Sequence, residues 1–139
     1  MTFQNTRKLP TVRRWPGAPV IFTVGAFVTV GWAVLLLLYG VTLRWVGFDL
    51  LLGAALAVTA ALARRDDDRV SLMATAVATL VLTDTFFDLT TAHADYLPTA
   101  LVMALTLEIP FALACLAYAL RRHRHHHGPT HRAASPRGR

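Results

Sequence analysis

The chain has 139 residues, enough for one domain. Apolar residues make up 55% and charged residues 16%, against about 25% charged in an ordinary soluble domain. The formal charge is +6, yet the basic residues flank apolar blocks instead of forming one patch. That arrangement reads as membrane orientation, and it argues against a soluble enzyme, a disordered tail protein and a nucleic-acid-binding domain. The single cysteine, Cys115, excludes an internal disulfide, a CxxC redox centre and a multi-cysteine zinc site.

Residues 1–17 form a basic arm containing Arg7, Lys8, Arg13 and Arg14. The first apolar segment, 19–39, is uncharged throughout and matches the length of about 20 residues that crosses a bilayer. It is longer than the ~7–15 residues of a signal-peptide core, and no small-residue cleavage site with a soluble domain follows it. It therefore reads as an uncleaved span. The second segment covers 46–63, the third 70–91 and the fourth 98–120. The second is the weakest, because alanine is only mildly apolar and Asp49 lies near its start. The connections at 40–45, 64–69 and 92–97 are too short for anything but antiparallel neighbours. The expected fold is an all-α, up-down transmembrane four-helix bundle spanning residues 18–120.

Basic residues mark the cytoplasmic side of a membrane protein. Arg64, Arg65 and Arg69 lie between the second and third segments, and Arg121, Arg122 and Arg124 follow the fourth. The other two connections hold only Arg44. Four spans place all three basic clusters on one side, so both termini are expected in the cytoplasm of a bacterium with the bundle in its plasma membrane. Trp15, Trp45 and Tyr96 sit at span ends, where amphipathic rings favour the headgroup layer. Residues 121–139 carry Arg, His, Gly and Pro without an apolar pattern, and a disordered tail is expected. His123, His125, His126 and His127 could take up metal adventitiously, but contact of the basic termini with anionic headgroups fits better. The run of Asp66, Asp67 and Asp68 between arginines reads as a solvated, self-paired turn.

Helices in lipid associate through small residues that allow close approach. Spacing of four picks out Gly53, Ala57 and Ala61 on the second span, Ala74 and Ala78 on the third, and Ala100, Ala104 and Ala112 on the fourth. Packing within the bundle explains these stripes, while a homodimer or another membrane-protein partner stays open. The bilayer is the principal partner, and no cofactor or metal centre is expected.

Ionisable groups inside a span cost about 2.5–3.5 kcal/mol each at the centre. Asp84 and Asp88 are four apart on the third span and share a face. At ~1.5 Å per residue, Asp84 and Glu108 differ in depth by only about 6 Å. Asp49 approaches from the second span, and His93 and Asp95 stand at the mouth. Pro110 lacks an N–H, so the Thr106 carbonyl loses its helical partner beside Glu108. In one reading Asp84 and Glu108 share a proton, threonines satisfy the remaining oxygens, and the pair only fixes register in an interaction or assembly bundle. In a second, Asp84, Asp88 and Glu108 bind a proton, a cation or a cationic substrate from outside, as in a small transporter or binding protein. In a third, the carboxylates serve an intramembrane metal-dependent enzyme acting on lipid. Their spacing matches no metal signature.

Gly47 with Asp49, Asp84 with Phe87 and Asp88, and Glu108 with Pro110 together resemble the Gly-x-Asp, Asp-x-x-Phe-Asp and Glu-x-Pro pattern of a family of small actinobacterial four-span membrane proteins. The likeness covers about 45–120. It implies four spans and shared polar positions, and it carries no activity with it.

Overall fold

A computed structural model of the chain describes residues 17–40 and 43–126. The arm at 1–16, with Trp15, and the tail at 127–139, with His127, lie outside the described residues. The elements are α1 (Ala18–Leu38), α2 (Leu43–Arg65), α3 (Val70–Thr91), α4 (Leu97–Met103), a π-helical turn (Ala104–Glu108) and α5 (Ile109–His126). Four stretches are long and apolar enough to cross a membrane: α1, α2, α3 and the continuous run Leu97–His123. The architecture is an all-α four-helix bundle of the kind found in multi-pass membrane proteins.

Helix α2 begins at Leu43 instead of 46, and α5 runs on to His126 instead of stopping at 120. Backbone polar groups near lipid need internal partners, which favours continuing a helix through the headgroup layer. Arginine is also a good helix former. The segment 121–126, expected to be disordered, is therefore helical. Gly40, with φ 71°, takes the left-handed conformation that commonly closes a helix, and it ends α1.

Helix α1 packs along α2, α2 against α3, and α3 against α5. Helices α1 and α5 meet through the edge-to-face rings of Phe22 and Tyr118, 5.8 Å apart. The core is built of small residues, among them Ala26, Ala60, Ala74, Ala78 and Ala112, closed around Leu56 and Val77. Lipid supplies no hydrophobic force between helices, so close backbone approach has to supply the attraction. On α2 the buried line runs through Asp49, Leu52, Gly53, Leu56 and Ala60, while Ala57 and Ala61 face outward. The expected stripe of Gly53, Ala57 and Ala61 is corrected accordingly. A strict spacing of four drifts by about 40° per step around a helix of 3.6 residues per turn. Ala74 and Ala78 are both buried on α3. Ala104 and Ala112 are likewise buried, because the wider π turn between them takes back the drift.

At the end carrying the basic clusters, Arg122 pairs with Asp66, and Arg64 donates to the Thr23 hydroxyl at 2.8 Å. Asp66 adopts φ 58°, and the Asp67 carboxylate accepts the Arg69 N–H at 2.9 Å. Asp67 thus pairs within the turn, as expected, while Asp66 reaches outside it. Asp66 ties the α2–α3 connection to the last helix.

Candidate carboxyl ladder at the far end

The ends of the helices away from the basic clusters are more loosely packed. No residue of α4 is buried, and most of the last turns of α1 and α3 face outward. Into this end project the acids of three helices. Trp45 on α2 meets Phe87 on α3 edge-to-face, with ring centroids 6.4 Å apart, and this contact sets the register of the two helices. Asp49 is one turn along α2 from Trp45, and Asp84 and Asp88 flank Phe87 on α3. At about 1.5 Å per residue, Asp88 lies about 5 Å from its helix end, Asp49 about 9 Å, Asp84 about 10 Å and Glu108 about 16 Å. The acids descend from the far end toward the middle of the bundle.

The four carboxyls act on one another. Asp84 is within electrostatic reach of Asp88, Asp49 and Glu108, and Asp88 is within reach of Glu108. Asp49 is only 8% exposed. Among the described residues none of the four forms an ion pair or accepts a hydrogen bond, and Glu108 Oε2 is fully enclosed without a partner.

The threonines do not fill that role. Thr75, Thr79, Thr83 and Thr85 on α3 each donate to the carbonyl four residues back. Thr90 and Thr91 donate to Phe86 and Phe87 carbonyls, and Thr106 faces outward and donates to Val102 O at 2.6 Å. A helix interior offers these hydroxyls a carbonyl at no cost in chain order, and they take it. The expected threonine-satisfied pair is therefore not formed. His93 and Asp95 are exposed in the turn after α3 and make no hydrogen bond to the ladder. His93 instead offers its carbonyl to the N–H groups of Tyr96 and Leu97.

The π turn explains how Glu108 comes to face the acids. The Ile109 N–H reaches back to Ala104 O, and Pro110 has no N–H to give. The carbonyls of Leu105 and Thr106 are left without ordinary α-type partners beside Glu108. The helix answers the missing proline N–H by widening into a π turn. Such single π turns are frequent at functional sites. Deeper than Glu108 the core is apolar, with Ala74, Val77, Ala78 and Ala112 buried, and the one buried hydroxyl there, on Thr59, is spent on Ala55 O at 2.7 Å. The polar route therefore ends at Glu108. No three His, Cys, Asp or Glu among the described residues are arranged to hold a metal ion.

Fold and site together define a class: a small multi-pass helical membrane protein with ionisable groups inside its spans. No protein-family profile, curated protein or solved structure matches the chain.

Proposed function

We propose that the protein binds protons or cations at Asp49, Asp84, Asp88 and Glu108, reached from the outer face of a bacterial plasma membrane, with both termini in the cytoplasm. The observation that carries this reading is a set of carboxyls from three helices that, among the described residues, have no basic or hydroxyl partner. Glu108 lies deepest, and an unpaired charge at a helix centre costs about 2.5–3.5 kcal/mol, whereas Asp88 stands exposed one turn from its helix end. A proton or a cation held among the carboxyls removes the cost of the deeper charges. A purely structural pair would be satisfied from within, and the threonine hydroxyls that could do so are committed to their own helices. The three basic clusters support the orientation, and the likeness to small actinobacterial proteins supports the bacterial setting.

The full chain in lipid nanodiscs tests the binding reading. Raising sodium, calcium or an ammonium salt in weakly buffered solution should release protons or raise the unfolding temperature, since a ligand that binds only the folded state stabilises it. The double variant Asp84→Asn with Glu108→Gln should keep its helical circular dichroism and lose both responses. A wild type indifferent to pH and to every cation, or a double variant with unchanged responses, would return the bundle to an assembly role.

A further inference from the structure

We infer that the furrow between α1 and α5 binds an anionic glycerophospholipid, with one acyl chain in the furrow and the phosphate at Arg121. Three sides of the bundle are closed by neighbouring backbones, and this one is not: no Cα of α1 comes within 8 Å of one in α5. Rings span the gap instead. Phe22 meets Tyr118 edge-to-face, and the tip of the Phe111 ring ends 3.9 Å from where a methyl on Gly25 would lie.

Beside these rings a cavity of about 30 Å³ stays open. That is room for about two or three water-sized groups, the thickness of a single hydrocarbon chain. Ala18, Phe22 and Cys115 form its floor and are buried, whereas Ile21 and Ala114 on its rims are exposed. The furrow is therefore entered sideways from the lipid, and no charged side chain lines it. From Phe111 to Tyr118 it runs about 10 Å along α5, about two thirds of the ~15 Å depth of one leaflet.

Lipid bathes every apolar face of the bundle, and charge singles this one out. The α2–α3 connection neutralises itself, with Arg64, Arg65 and Arg69 against Asp66, Asp67 and Asp68. From Arg121 onward the sequence holds arginines and no acid. The α5 wall of the furrow leads into that basic stretch, because Ala114, Tyr118, Arg121 and Arg122 share one helix face. Arg122 is engaged with Asp66, and Arg121 is exposed one turn beyond Tyr118, where the chain of a bound lipid gives way to its headgroup. No acid lies in the first turn of α1 at the same end. A second copy of this chain would set arginine against arginine at that mouth, and like charges disfavour such a contact. A phosphate there meets only the opposite charge.

The test is native mass spectrometry of the full chain in dodecyl maltoside, titrated with dioleoyl phosphatidylglycerol or dioleoyl phosphatidylcholine. One arginine beside an anionic headgroup is worth about fivefold in affinity, so wild type should prefer the anionic lipid by at least about that factor. Arg121→Gln should reduce the preference to less than about twofold and leave the neutral lipid unchanged. Ala114→Trp, which fills the furrow from its exposed rim, should weaken both lipids at least about tenfold. Leu72→Trp, on an exposed position of α3 at the same end, should weaken neither. All three positions are exposed, so the variants should fold, which helical circular dichroism checks. Equal binding of the two lipids by wild type, a preference that survives Arg121→Gln, or equal effects of Ala114→Trp and Leu72→Trp would overturn the inference. A dimer that carries no lipid and dissociates in Ala114→Trp would overturn it too, since a second copy would then fill the furrow.

Discussion

Gly53→Ala is expected to destabilise the bundle, although it replaces a glycine inside a helix. A methyl group on Gly53 would lie 2.8 Å from Val30 Cγ2, with the Ala26 carbonyl oxygen and Val30 nitrogen at 3.8 Å. Real contacts do not come that close, so something must move. Valine is β-branched and holds one rotamer in a helix, so Val30 cannot simply swing aside. Relief requires α1 to shift from α2, and overpacking of this kind costs about 1–3 kcal/mol. Removing a mid-helix glycine gains about 0.5–1 kcal/mol in the opposite direction. The net loss is then between about 0 and about 2.5 kcal/mol. Val30→Ala removes the offending methyl at small cost, since Val30 is 39% exposed. The double variant should recover the overpacking loss, with a coupling of about 1–2 kcal/mol between the sites. Unfolding in mixed micelles, followed by circular dichroism, measures all four corners of the cycle. If Gly53→Ala alone stabilises the protein, or the two effects simply add, the close approach of α1 to Gly53 is refuted.

Ala78 is fully buried and Ala57 faces outward, so Ala78→Leu should cost about 1–3 kcal/mol while Ala57→Leu stays within about 0.5 kcal/mol of wild type. The same unfolding assay decides, and the reverse order would mean that α2 is rotated. Arg122→Ala and Asp66→Ala should each lose about 1 kcal/mol, and the double variant less than the sum of the two, because their side chains share a contact and are 12% and 35% exposed. Additive losses would show that the two act separately. Reporter fusions after Arg65 and beyond His126 should report cytoplasm, and one at Ala94 should report the outside. A C-terminal fusion on the outer side would refute the orientation.

The sequence by itself determined how many spans there are and that neighbours run antiparallel, though not where α2 begins or how far α5 continues. Lipid forces every backbone group into a helix, so length and hydropathy are enough to count spans. It also singled out Asp84, Asp88 and Glu108, because a charge in an apolar run is conspicuous without any partner in view. Which face of each helix turns inward was decided only in three dimensions. In water the inner face is apolar and the outer polar, so the pattern gives the rotation away. In a bilayer both faces are apolar, and Ala57 looks no different from Ala78 until the helices are packed. The same packing buried Asp49 and set it beside acids from another hairpin. It also committed the threonine hydroxyls to their own carbonyls and paired Asp66 with Arg122, 56 residues away. Pro110 announced that a backbone donor was missing, but a kink and a π turn answer that loss equally well in sequence. Contact with α3 is what separated them, since the widened turn keeps Ala104 and Ala112 on the packed face and holds Glu108 between them.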